Sequence, residues 1–236
     1  MVPELLEVYN FDKKIRLGVN TDGGYVIGDL DEPNYDCYIS AGIGNEDSFS
    51  VDFIEKYNMN EYNSFAFDGT QENYPYQYTH KIHFIKKNIN NYNDNFNTNL
   101  DYLINKYDNI FLKMDIEGWE YRWLLSLDGN KLSKFKQIVI EFHGITDDGW
   151  GWSNNHKKTC LAKLAYTHYI IHAHGNNNKF VLNGIPDVLE LTFINKKYFK
   201  SIPELNKQNL PIENLDFKNC IHNDEIILNH YPFKFN

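Results

Sequence analysis

The sequence predicts an α/β protein on a mostly parallel sheet, and three observations carry that prediction. From residue 35 onward, apolar runs of strand length alternate with amphipathic runs of helix length, the pattern of repeated βαβ units. The run Ile110-Phe111-Leu112-Lys113-Met114-Asp115-Ile116-Glu117-Gly118-Trp119-Glu120 reads as a buried strand that ends on acids and breaks at a glycine into a helix. In open α/β sheets that end of a strand is where ligands sit. Finally, the glycine turn Ala41-Gly42-Ile43-Gly44 joins another strand to the helical run that follows it.

The elements follow in order. Residues 37–43 form a first strand, 48–57 an amphipathic helix, 64–68 (Ser-Phe-Ala-Phe-Asp) a second strand and 81–89 a third. Residues 100–107 read as a short helix with Leu100, Leu103 and Ile104 on one face. The fourth strand is 109–117, followed by a helix over 119–127 and a fifth strand over 137–143 (Gln-Ile-Val-Ile-Glu-Phe-His). A helix over 156–166, a sixth strand over 169–174 and a seventh over 188–195 complete the series. One domain is expected. Residues 1–34 would cap its core through the turn Asp22-Gly23-Gly24-Tyr25, and residues 196–236 would form a tail packed back on the body.

Composition narrows the function. The chain has 236 residues, is 42% hydrophobic and carries a formal net charge of −9. Its 23 basic residues are scattered, so no positive stripe is available for a nucleic-acid backbone. Cys37, Cys160 and Cys220 are far apart and odd in number, which suits free thiols in a reducing compartment. There is no signal-like N-terminus and no apolar run of membrane-spanning length, so a cytoplasmic location is expected. A homo-oligomer stays open.

Three constellations could carry chemistry. The glycines of the first turn let backbone N–H groups approach a ligand, but no third glycine completes the dinucleotide fingerprint. A pyrophosphate needs that close contact; a carboxylate does not. Asp68 ends the second strand, where cofactor-binding folds place an acid against ribose, although a turn or cap role is equally open. At the next two strand ends, Asp115, Glu141 and His143 would share one mouth, because residues two apart share a strand face. They could hold an oxygen-loving divalent cation, or serve as an acid–base cluster without metal.

His172 and His174 share a face of the sixth strand, and His174 is the better pocket residue; Asn176 and Asn177 follow in a loop. The loop Thr146-Asp147-Asp148-Gly149-Trp150-Gly151-Trp152 could be a lid or a sugar-stacking platform, or its tryptophans could plug a core gap.

These residues resemble the FkbM-type methyltransferases, which use S-adenosylmethionine. The likeness rests on Lys113-Met114-Asp115-Ile116-Glu117-Gly118-Trp119-Glu120, supported by Glu141-Phe142-His143, His174-Gly175-Asn176-Asn177, Asp22-Gly23-Gly24-Tyr25 and Glu190-Leu191-Thr192. It spans roughly residues 15–195. The resemblance implies a Rossmann-like class I methyltransferase fold, with a seven-stranded mostly parallel sheet whose last strand is antiparallel. It also implies O-methylation of a sugar hydroxyl, on a nucleotide-linked sugar or a surface-glycan precursor.

Carried over, the cofactor residues would be Gly24, Tyr25, Ser40, Ala41, Gly42, Gly44, Asp68, Asn88 and Asp115. Asp115, His143 and His174 would be catalytic, with His143 the first choice of base. Asp115, Glu141 and His143 would bind magnesium or manganese if a metal is used. Glu117, Trp150, Trp152, Asn176 and Asn177 would contact substrate. An acid commonly opens the glycine turn in this family, whereas Ser40 stands here, so Asp22 or Asp115 would have to meet the cofactor's amino group. An NAD(P)-linked oxidoreductase and a non-catalytic carbohydrate-binding protein are the competing readings.

Overall fold

In the computed structural model, residues 2–32, 34–77, 81–147, 149 and 151–236 are described. A hairpin comes first, β1 (Lys14–Leu17) antiparallel to β2 (Tyr25–Gly28). The main sheet follows: β3 (Cys37–Ala41), β4 (Ser64–Phe67), β5 (His83–Ile85), β6 (Ile110–Met114), β7 (Phe135–His143), β8 (His168–Gly175) and β9 (Val188–Asn195). Its spatial order is β8-β9-β7-β6-β3-β4-β5. Strands β7, β6, β3, β4 and β5 are parallel, and β9 runs antiparallel to both β7 and β8.

The helices are α1 (Ser48–Tyr57), α2 (Asp101–Lys106), α3 (Glu120–Ser126), α4 (Gly129–Leu132) and α5 (Asn154–Thr167). From β3 the chain crosses to β4 on one side, and later returns to place β6 on the other. The strand order therefore reverses between β3 and β6. A crevice forms where the two connections leave in opposite directions, and ligands of open α/β sheets bind there.

Period-two burial explains the two layers of core. Cys37, Ile39 and Ala41 join Ile110, Leu112, Met114, Ile138, Ile140 and Phe142 on one face. Tyr38, Phe111 and Val139 join Phe49, Phe53 and Ile54 of α1 on the other. Phe53 stacks on Tyr38 with ring centroids 4.5 Å apart and touches Phe111 at 4.3 Å. Helix α1 stops at Asn58, whose left-handed φ of 50° turns the chain out of the helix.

The α1 face of the sheet also carries the polar strand residues, and the hairpin covers them. Gln137 ties hairpin to sheet through both its amide atoms, accepting from Gly28 N at 2.7 Å and donating to Gly28 O at 3.1 Å. The C-terminal segment returns to the body: Asn206 N donates to Val8 O at 2.8 Å, and Leu210, Leu228 and Phe233 are buried in the core.

Three strands end two or more residues short of the sequence expectation. The first strand ends at Ala41 rather than residue 43, because Gly42 has φ 74°. The third shrinks to His83–Ile85, and Asn88–Ile89 instead pairs with Asn97–Thr98 in a separate parallel bridge. The fourth ends at Met114, because Glu117 and Gly118 turn with φ of 56° and 96°. In each case the chain leaves the sheet to build a loop at its C-terminal edge. Among the described residues, no helix is long and apolar enough to cross a membrane.

Candidate functional site

A cleft of about 680 Å³ opens at the β3–β6 reversal, within the size range of small-molecule sites. Its floor is the glycine turn after β3 and the acidic turn after β6. The two are locked together: Asp115 N donates to Ala41 O at 2.9 Å, and Lys113 Nζ donates to Gly42 O at 2.5 Å. A Cβ on Gly42 would lie 1.6 Å from the Asp115 carbonyl oxygen, so only glycine allows this approach. At Gly44 a Cβ would meet nothing within 4 Å, because that position faces the open cleft.

Gly42, Gly44, Asp68, Asn88, Asp115 and Glu117 line the cleft, as the sequence reading expects of binding residues. Asp68 does so with its carboxylate in use. Oδ2 accepts from Ile43 N and Gly44 N at 3.1 and 3.0 Å, and Oδ1 accepts from Thr70 N and Oγ1 at 2.8 and 2.6 Å. Burial pushes this carboxyl up, but those hydrogen bonds outweigh it and hold the group below its ordinary pKa. Asp68 thus shapes the glycine turn, the turn role left open beside ribose binding.

Several expected contacts are not at the surface of the cleft. Ser40 and Ala41 are buried, and Ser40 Oγ donates to Asp47 Oδ1 at 3.1 Å. Asp47 is itself buried and pushed up to about 6 by burial. Gly24 lies under the hairpin turn, where a Cβ would come 2.0 Å from Val19 O; Asp22 and Gly23 line the cleft instead. Tyr25 is buried behind the floor, its hydroxyl donating to Asp115 Oδ2 at 3.2 Å and Glu141 Oε2 at 3.4 Å.

The acids and histidines separate into two linked groups. Asp115, Glu117 and His143 each offer a ligand atom within 4.8 Å of the others; Asp22, Glu141 and Glu190 form a second such set. Glu141 thus falls in a different set from Asp115 and His143, with which the sequence reading joined it. The reason is register: Glu141 lies opposite Glu190 on β9, and Glu190 lies opposite His174 on β8. Asn176 Nδ2 donates to Glu141 Oε1 at 2.7 Å, orienting it. Burial, followed by the charges of Asp115 and Glu190, raises the Glu141 pKa well above the carboxylate range.

His143 sits inside a ring of carboxylates. Its Nδ1 is 3.2 Å from Glu120 Oε1, and its Nε2 is 3.4 Å from Glu117 Oε2 and 3.9 Å from Asp115 Oδ1. Burial pulls its pKa down, yet the hydrogen bond and charge of Glu120, with Asp115 and Glu117, raise it to about 8. The imidazole is therefore largely protonated at neutral pH, a poor state for a general base.

Glu120 has no exposure, and its Oε1 also accepts from Ile116 N and Gly118 N at 3.1 and 3.2 Å. The motif alone assigns Glu120 no role. An acid at the first turn of α3 facing a preceding tight turn is the signal that could have found it.

His174, Asn177 and Trp152 make their contacts away from the cleft. His174 does not line the cleft; its Nδ1 meets Glu190 Oε2 at 3.1 Å and its Nε2 is 3.4 Å from Glu225. Asn177 latches the C-terminal segment, donating to Cys220 O at 2.9 Å and accepting from Cys220 N at 2.7 Å. Trp152 packs on Tyr121 and donates its Nε1 to Gly118 O at 2.8 Å, so it buttresses the acidic turn from behind. Asp148 and Trp150 lie outside the described residues. Phe67, Tyr92 and Trp119 are the aromatics among the described residues that line the cleft; Tyr92 and Trp119 are about half exposed, and Arg122 lies over Trp119 at 5.3 Å.

A mixed seven-stranded sheet with its cleft at the strand-order reversal fits a Rossmann-like methyltransferase. The family model of the methyltransferase FkbM domain matches residues 11–185, about three quarters of the chain, and the chain belongs to that family. Comparison with curated proteins returned no match.

Proposed function

We propose that this methyltransferase uses S-adenosylmethionine to methylate a hydroxyl of a sugar, carried on a nucleotide or in a glycan precursor. The observation that carries the reading is the state of Asp115. Its Oδ2 is held by Tyr25, while its Oδ1 is buried with no hydrogen-bond partner among the described residues, at the cleft floor beside the glycine turn. A carboxylate oxygen left unpaired there is suited to a donor brought by a ligand.

The residues present fit the cofactor. Gly42, Gly44, Asp68 and Asn88 form a cradle on the β3 and β4 side, and Asp22, Asp115 and Glu117 line the same cleft. When bound, S-adenosylmethionine would supply an electrophilic methyl group whose bond to the positively charged sulfur breaks as the acceptor oxygen bonds to it, leaving a neutral thioether. Asp115 Oδ1 then accepts the proton of the acceptor hydroxyl as its oxygen attacks. Tyr25 holds the carboxylate in place, which matters because positioning supplies much of the rate in such transfers. His143, protonated among Asp115, Glu117 and Glu120, offsets the local negative charge rather than taking the proton. A floor of acids and a wall of amides (Asn88, Asn90, Asn97) suit a polyhydroxylated acceptor.

Thermal shift measurements test the cofactor. S-adenosylhomocysteine should raise the melting temperature and NAD should not; a shift with NAD alone would favour the oxidoreductase reading. A metal-assisted version is favoured by the convergence of Asp115, Glu117 and His143. A divalent cation there would lower the pKa of the acceptor hydroxyl, after His143 has lost its proton. Activity that survives exhaustive chelation would remove the metal and leave Asp115 as the unaided base.

A further inference from the structure

We propose that Asn219, in the C-terminal segment beyond the family domain, positions Asp22 to receive the ammonium group at the amino-acid end of the cofactor. This rests on the S-adenosylmethionine reading above.

Asn219 is 8% exposed, and its Nδ2 donates to Asp22 Oδ1 at 3.1 Å and to Glu190 Oε1 at 2.7 Å. Two carboxylate acceptors fix the orientation of the amide, since its oxygen could not face them. The amide oxygen has no hydrogen-bond partner among the described residues. Burying an unpaired carbonyl is unfavourable, and the two donated bonds to carboxylates offset that cost.

Asp22 is the member of this group that reaches the ligand. It is exposed and lines the cleft beside Gly23, Gly42, Gly44 and Asp115. Asn219 uses only Oδ1; among the described residues no hydrogen bond engages Oδ2. The two acids clustered with Asp22 are already served. Glu190 is met by His174 and Asn219, and Glu141 by Asn176 and Tyr25. Asp22 therefore presents a carboxylate oxygen, Oδ2, that no hydrogen bond among the described residues engages, at the end of the glycine turn. A cationic group placed there gains a charge-assisted hydrogen bond.

Ser40, at the head of the glycine turn, is buried against Asp47 and out of reach of a ligand there. Asp22, delivered by the hairpin and braced by the C-terminal segment, is the acid that reaches this end of the cleft. The brace itself is well anchored: Asn177 bonds Cys220 through both backbone groups, and Arg16 donates to Leu215 O at 3.2 Å.

Calorimetric titration of the full chain tests this with two ligands, S-adenosylhomocysteine and the same thioether nucleoside lacking its amino group. The wild type should bind the amino compound about tenfold or more tightly, the effect of one charge-assisted hydrogen bond. In Asn219→Leu that preference should collapse while affinity for the deaminated compound is kept, and Asn219→Gln should restore part of it.

Equal affinity of the wild type for both compounds would overturn the assignment while leaving the cofactor reading intact. So would a variant that weakens both equally, which marks a purely structural residue. Failure of the wild type to bind either compound would remove the cofactor reading and this inference with it.

Discussion

Gly42 and Asp115 are placed so closely that a single methyl group on Gly42 would fall 1.6 Å from the Asp115 carbonyl oxygen. The contact joins the two loops whose strands flank the reversal point of the sheet. It brings the glycine turn and the acidic motif, far apart in sequence, onto one floor. Gly42→Ala combines that overlap with a φ of 74°, so a loss of about 3 kcal/mol or more is expected. Chemical denaturation would measure it; a variant within 1 kcal/mol, roughly, of wild type would mean that the two loops move apart freely.

Asp115→Asn keeps the shape of the side chain and an oxygen to accept from Tyr25, but it removes the base. Methyl transfer should fall by about a hundredfold or more, while the melting temperature and the binding of S-adenosylhomocysteine stay near wild type. Turnover close to normal would exclude Asp115 from the proton transfer.

His143 makes the fold sensitive to pH in a defined direction. Its folded-state pKa of about 8 lies above the ordinary 6.5, so the protonated ring stabilises the native state. That contribution is complete below about pH 6.5 and is lost as the pH rises through about 8, amounting to about 2 kcal/mol. The stability gap between wild type and His143→Gln should therefore shrink between pH 6 and pH 9. A constant gap would mean that the ring is not charged in the native protein.

Much of the fold was legible because it is written in two periods. Alternate residues of β3, β6 and β7, buried almost throughout, enter the two core layers on opposite faces of the sheet, and the Phe49–Phe53 spacing marks the buried side of α1. Residues that line the cleft were legible where acid chemistry and strand end coincide, as at Asp115 and Asp68. They were illegible where a contact crosses elements without a local signature. Nothing in the order His174-Gly175-Asn176-Asn177 says that Asn176 orients Glu141 while Asn177 holds Cys220. Glu141 and Glu190 meet through strand register, and Asn219 arrives from a segment with no periodic pattern at all. Ser40 reads as a turn residue, yet its side chain is turned inward by Asp47.

Trp152 separates platform from buttress. Trp152→Phe removes the bond to Gly118 O and should cost about 1 kcal/mol of stability. The Michaelis constant for the acceptor should stay within about twofold, since a side chain behind the turn leaves acceptor binding untouched. A large rise in that constant with unchanged stability would return Trp152 to the substrate surface.

The most direct measurement is a crystal of the protein soaked with S-adenosylhomocysteine. Its density should fill the cleft between the Gly42–Gly44 turn and Asn88, with its sulfur facing Asp115. Density at any other place on a protein with an intact cleft, or none despite saturating ligand, would contradict the assignment of this cleft as the methyl-transfer site.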